Sequence, residues 1–273
     1  MSATVDAGRF SKYLGDAPVM NVPGRTFPVK TYYLEDAIEL VRFTTSEDSR
    51  KPLDKNKWEE DDIEDSDDKD LAGNAGSLSK YSQETRDTLS RMNAHHINYE
   101  LIIRLLEYVA YSPEFMGYSQ AILVFLPGMG EIRRLNDMLM GHPKFQSNRN
   151  SGGWLIYPLH STISSEDQEA AFLLPPPGVR KIVIATNIAE TGITIPDVTC
   201  VIDSGKHKEM RFDEKQQLSR LVETFVSRAN AKQRRGRAGR VQEGLCFHLF
   251  TKDRHDNLVP TPLFVHMASY GGF

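Results

Sequence analysis

Apolar residues along this chain fall into two alternating rhythms. Short β-branched or aromatic runs ended by Pro, Gly, Asn or Asp predict strands: PVKTYYL (28–34), AILVFLP (121–127), WLIYPLH (154–160), KIVIAT (181–186), VTCVID (198–203) and LCFHLF (245–250). Between them the period changes to 3.6. In INYELIIRLLEYVAY (97–111), Leu101, Leu105 and Val109 are four apart with Ile102 and Leu106 beside them, and GEIRRLNDMLMG (130–141) repeats this with Ile132, Leu135 and Leu139. SSEDQEAAF (164–172) opens like a capping box, with Ser164 as N-cap and Asp167 three residues on. FVSRANAKQRRGRAGR begins as a further helix that Gly236 and Gly239 interrupt. Alternation of this kind, with strands apolar throughout, predicts an α/β fold: a parallel sheet with helices on both faces. Such sheets place ligands at the carboxyl ends of their strands, which directs attention to the loops after Pro127, His160, Thr186 and Asp203.

One stretch breaks the rhythm. EEDDIEDSDDKD (59–70) carries nine acidic residues, one lysine and a single large apolar residue, Ile63, too little to form a core. The region 44–92 is therefore expected to be an acidic, disordered insert, a plain linker or an electrostatic decoy for the basic surface. The net charge of −4 comes from it: the segment contributes −9 + 1 = −8, leaving +4 elsewhere. At 273 residues, 40% hydrophobic and 26% charged, the chain is ordinary for one large globular domain or two small ones. Its apolar runs are too short to cross a bilayer. Cys200 and Cys246 both sit in strand-like runs, which points to buried thiols and a reducing compartment, the cytoplasm or the nucleus.

The concentrated chemistry is QRRGRAGR (233–240). Arg234, Arg237 and Arg240 are three apart, Arg235 adds a fourth guanidinium, and two glycines remove bulk where a partner must come close. So much fixed positive charge suggests a polyanion. The usual triphosphate cradle, a glycine-rich loop ending in Gly-Lys-Ser/Thr, is not in the sequence; the one Gly-Lys pair, Gly205-Lys206, is followed by His207. Thr186 and Asn187 offer a hydroxyl, an amide and turn N–H groups at a strand end, donors suited to phosphate oxygens or to capping a helix. In FLPGMGEI the third glycine of a dinucleotide fingerprint would fall at Arg133, so Gly128 reads as a tight turn. Ser161 lacks the glycine turn of a nucleophile elbow.

Taken together, these motifs carry a resemblance. SAT (2–4), TNIAETGITIPDVTCVIDSG (186–205) and QRRGRAGR look like motifs III, V and VI of the DEAH-box RNA helicases of superfamily 2. ILVFLPG (122–128) and YPLHSTISSEDQ (157–168) resemble motifs IV and IVa, and PGRTFPV (23–29) an entry into the second RecA-like domain. SRLVETFVSRA (219–229) is similar to a segment of a subgroup with ribosome-linked members. The resemblance implies a remnant of a first RecA-like domain at 1–18, a second RecA-like domain at 19–43 and 93–251 with a β-hairpin excursion at 206–226, and an irregular tail at 252–273 where the family has a winged helix. It implies ATP with Mg²⁺ as cofactor, the metal's ligands lying on the P-loop domain. Gln233, Arg237 and Arg240 would face the γ-phosphate or the attacking water. Phe172 would stack on adenine, and Thr194 would touch ribose or phosphate. Pro196 stands where some members have aspartate, and Asp197 is placed to substitute. Gly128, Ser161, Thr162, Thr186 and Asn187 would touch RNA backbone, and Ser2, Thr4, Glu190 and Thr191 would couple the two sites. The expected partner is single-stranded RNA or a duplex junction, within a ribonucleoprotein such as the ribosome. The alternative is a module that binds RNA or a partner without turning over ATP; half a site gives the isolated chain neither metal ligation nor a phosphate cradle.

Overall fold

In a computed structural model of the chain, residues 7–20, 27–45, 78–145, 153–162, 165–191, 195–213 and 217–260 are described. A helix, α1 (Ala7–Tyr13), precedes β1 (Val29–Tyr32) and α2 (Leu34–Val41). There follow α3 (Gln83–Arg91), α4 (Tyr99–Tyr111), β2 (Ala121–Phe125), α5 (Met129–Met140), β3 (Trp154–Leu159), α6 (Ser165–Ala170), β4 (Arg180–Ala185), α7 (Ile188–Thr191) and β5 (Cys200–Asp203). A hairpin, β6 (Lys206–Asp213) and β7 (Leu218–Phe225), leads to α8 (Arg228–Arg235), β8 (Gly244–His248) and α9 (Lys252–Asn257).

Six strands form one sheet in the order β1-β8-β5-β2-β4-β3, every pairing parallel, with helices on both faces as the alternating pattern requires. This is the RecA-like arrangement expected. β2, β5 and β8 are buried at every position, whereas the outer strands β1 and β3 are only partly so. Pro158 is tolerated because β3 is an edge. On one face Ile122, Val124, Ile182, Ile184, Ile202 and Phe247 pack against the stripes of α4 and α5. On the other, Leu123, Val183, Val201 and Cys246 meet Ala189 of α7 and Ala238 beyond α8. The two cysteines are free, fully buried and on opposite faces, and burial pushes both thiols up out of their reactive range.

Two expectations need adjustment. The acidic run 59–70 lies outside the described residues, but the end of the 44–92 region is structured: Ser82 caps α3, and Leu89 packs with Leu34, Ile38 and Phe43. The overall polarity of QETRDTLSR conceals this helix, whose buried side is Thr85, Thr88 and Leu89. The tail likewise begins as a helix, α9, with the Thr251 side chain accepting from the Arg254 N–H at 3.1 Å. Among the described residues no helix is long and apolar enough to cross a membrane.

The hairpin leaves the sheet at Gly205, which has φ +74° and lies so close to Phe250 that a Cβ would overlap the ring. Gly205→Ala is expected to cost about 2–3 kcal/mol from left-handed strain and overpacking, seen as a lower urea midpoint at unchanged slope.

Candidate functional site

The parallel register aligns the last residues of five strands: Leu159, Ala185, Phe125, Asp203 and His248 occupy one row across the sheet. The loops after that row form the carboxyl edge, and they carry Gly128, Ser161, Thr162, Thr186 and Asn187. Gly128 is the N-cap of α5 and is wedged against Glu131 and Lys208; a Cβ there would sit 2.8 Å from Glu131 Oε2. Ser161 and Thr162 are exposed, and the Thr162 N–H donates to His160 Nδ1 at 3.2 Å. Thr186 is buried at the start of the turn into α7, and Asn187 is exposed beside it. All five are thus on neighbouring loops of one edge, presenting hydroxyls, an amide and turn N–H groups along it.

From this edge α8 runs back across the sheet. Its start is fixed where the Val226 N–H donates to the Gly205 carbonyl, and Ser227 caps it, accepting from the Asn230 N–H. Eight residues at 1.5 Å each carry it about 12 Å. On its inner side Arg234 is completely buried. Its Nε donates to Glu190 Oε1 at 2.6 Å, and its Nη1 donates to Asp203 Oδ1 at 2.8 Å and to the Lys206 carbonyl at 3.1 Å. The guanidinium lies over the Phe125 ring, 4.8 Å from its centroid. Asn230 Nδ2 holds the other Glu190 oxygen at 2.7 Å, and His248 Nδ1 is 3.1 Å from Asp203 Oδ2. Burial pushes the Asp203 carboxyl up, but Arg234 and His248 outweigh it and hold the group well below the usual carboxylate range. Glu190, expected to couple two sites, is therefore the residue through which α7 is fastened to α8. The side chain of its neighbour Thr191 lies outside the described residues, as do Ser2, Thr4 and Thr194.

At the far end of α8 the chain turns at the opposite, amino edge of the sheet. There the Phe27 N–H donates to the Gly239 carbonyl at 2.9 Å, and Ala238 abuts Gly244, the first residue of β8. A Cβ on Gly239 would lie 2.6 Å from the Phe27 carbonyl oxygen, so the second glycine of the motif is needed for chain packing. Arg237 is buried and Arg240 exposed; Gln233 and Arg235 are half-buried. Burial, and then the like charge of Arg240, lower the Arg237 guanidinium to about 10. Phe172, half-buried, is on the same edge, in the turn between α6 and β4. So is Asp197, which is buried and 2.7 Å from the ammonium of the fully buried Lys181. Lys181 engages one of its two oxygens, Oδ1.

The described candidates therefore separate: Gly128, Ser161, Thr162, Thr186 and Asn187, expected to touch RNA, are on the carboxyl edge, and Phe172, Asp197, Arg237 and Arg240 are toward the amino edge. Arg234, Asp203, His248 and Lys181 did not emerge as a set from sequence reasoning. The available signal was an acid ending the apolar strand VTCVID and a lysine opening the apolar strand KIVIAT, both of which demand buried partners.

Compared with known proteins, residues 100–242 match the helicase conserved C-terminal domain. The chain is 44% identical over 280 residues to the mouse ATP-dependent RNA helicase DHX29, covering 95% of this chain and 20% of that protein. It is 43% identical over 263 residues to the bovine ATP-dependent DNA/RNA helicase DHX36, covering 93% and 25% respectively. Among solved structures it resembles the E. coli DExH-box NTPase HrpB, with a TM-score of 0.63 and 29% identity, over 96% of this chain and 24% of that one. It thus spans about a fifth to a quarter of the length of these proteins.

Proposed function

This chain belongs to the helicase conserved C-terminal domain family, within its DExH-box branch, and on that premise we propose that it is the second RecA-like half of an ATP-dependent RNA helicase, completing an ATP site on one edge of its sheet and holding RNA on the other. The observation that carries this reading is Arg237. It is buried three residues from the exposed Arg240, on the turn after α8 that meets Phe27 and Gly244, so two guanidiniums are concentrated at the amino edge, where planar forks suit a polyanion.

On the amino edge, Arg237 and Arg240 act as forks for the equatorial oxygens of the γ-phosphoryl group, where charge gathers as it passes to water, and Gln233 orients that water. Phe172 stacks on the base and Thr194 meets ribose or phosphate. Asp197 holds its loop through Lys181. Mg²⁺, bound on a P-loop domain, supplies charge neutralisation at the phosphates. On the carboxyl edge Gly128, Ser161, Thr162, Thr186 and Asn187 hold RNA backbone, a sequence-tolerant grip suited to movement along a strand. Ser2 and Thr4, with Glu190 and Thr191, link the two events; α8, fastened to Glu190 through Asn230 and Arg234 and leading directly into Arg237, is the physical connection. The segment 219–229 suggests a ribonucleoprotein setting, with the ribosome as one instance, and the buried free thiols suit a reducing cytoplasm.

The test is steady-state ATP hydrolysis by the chain alone and by the chain joined to a P-loop domain of a DEAH-box helicase, with and without single-stranded RNA. Turnover only in the joined protein, stimulated by RNA, is expected. Turnover by the chain alone would contradict the division of the site, and none in the joined protein would favour a binding module.

RNA contact is tested separately. Thr186→Val with Asn187→Ala is expected to weaken single-stranded RNA binding roughly tenfold, through loss of hydrogen bonds to phosphate. The loss should be similar for unrelated sequences, as read by fluorescence anisotropy. A loss confined to one sequence would indicate base contacts instead.

A further inference from the structure

Lys181 is the second residue of β4 and is completely buried, unusual for a lysine unless paired. Its ammonium donates to the Ala171 carbonyl at 3.1 Å and the Leu173 carbonyl at 3.0 Å, and forms an ion pair with Asp197 Oδ1 at 2.7 Å. The two carbonyls flank Phe172. Beyond it Leu173 and Leu174 are exposed, so the turn has little apolar anchorage on that side; Phe172 itself rests on the rim of the core face that holds Leu123, Val183 and Val201. Asp197 makes no hydrogen bond among the described residues, which leaves Lys181 as the cation that compensates its charge.

We propose that Lys181 is a positioning residue for Phe172: by tying the backbone on both sides of the ring to the start of β4, it fixes the surface on which a nucleobase stacks and so sets affinity for the base of the nucleotide. The inference rests on the base contact assigned to Phe172 above. Burying a lysine to hold two carbonyls gains little stability over an apolar residue, but it defines where the turn sits. Asp197 supplies the opposite charge beside the buried Lys181.

The experiment uses the chain joined to a P-loop domain and compares ATP with ribose 5′-triphosphate, which has no base. Lys181→Met is expected to raise KM for ATP about tenfold, the order of a lost aromatic–base stack, with kcat within about twofold and KM for ribose 5′-triphosphate unchanged. Phe172→Ala should do the same, and the double variant should be no worse than Phe172→Ala alone. Lys181→Met leaves the Asp197 carboxylate buried without its cation, so Lys181→Met/Asp197→Asn, which removes both charges together, is the second variant and should show the same selective rise. An equal rise for both triphosphates, or effects of Lys181→Met and Phe172→Ala that multiply, would make Lys181 a general support of the fold and overturn the inference. If Phe172→Ala leaves KM for ATP unchanged while Lys181→Met raises it, the base contact at Phe172 is wrong and the inference falls with it. If Phe172→Ala raises it and neither lysine variant does, the base contact stands and Lys181 does not position it.

Discussion

Arg234→Met is expected to cost about 3–5 kcal/mol of folding stability, the toll of breaking a buried ion pair from one side. That is a large part of the 5–15 kcal/mol that holds a typical domain together. Methionine fills much of the volume, so packing is not the main loss. The cost arises because Glu190 and Asp203, both buried, would keep carboxylates facing a space with no cation. Arg235→Met, one residue along and only half-buried, should cost far less. Equilibrium urea unfolding of both variants decides it, and comparable losses would mean that the Glu190–Arg234–Asp203 chain is not a structural support. The same network predicts acid sensitivity. Because Asp203 in the folded chain is held below its unfolded value, its stabilising contribution is fully present above the unfolded value near pH 4. It is then lost as pH falls through the folded value.

Arg237→Ala should leave stability nearly intact and remove catalysis. In the joined protein kcat is expected to fall about 10³-fold, the effect of losing an arginine finger, with KM for ATP changed much less, since charge on the equatorial oxygens is greatest in the transition state. Arg237→Lys should recover little of the loss, because an ammonium cannot make the paired contacts of a planar fork. Arg240, more exposed and thus less desolvated, should show the smaller effect of the two. A fall in kcat matched by an equal loss of folding stability would reassign Arg237 to the scaffold.

The layers of this fold were legible in the sequence because burial imposes period. β2, β5 and β8 are covered on both faces and therefore read as unbroken apolar runs, while α4 and α5 show one stripe each. Helix α3 was not legible: its three buried positions, Thr85, Thr88 and Leu89, include only one large apolar side chain, so its period vanishes among polar neighbours. The hairpin followed from the family resemblance alone, since its exposed Met210, Phe212 and Leu221 give no core signal. At the site, spacing of three in QRRGRAGR gave the direction of the motif but not its division of labour. A period can say that Arg234, Arg237 and Arg240 lie near one another; it cannot say that Asp203, ending a strand thirty-one residues earlier, claims the first of them for the interior. Nor could it show that Arg237 and Arg240 lie toward the edge opposite the RNA candidates, because that depends on α8 running antiparallel to the strands. The pairing of Lys181 with Asp197 was hidden for the same reason, its two halves being brought together only by the fold.

The central claim is that these arginines form one wall of an ATP-hydrolysing cleft whose other wall is a P-loop domain. Single-turnover hydrolysis by the joined protein, compared with its Arg237→Ala/Arg240→Ala variant at saturating ATP and RNA, tests it most directly. A rate constant lower by about 10³-fold or more, with RNA binding retained, is the predicted result; equal rate constants would contradict it.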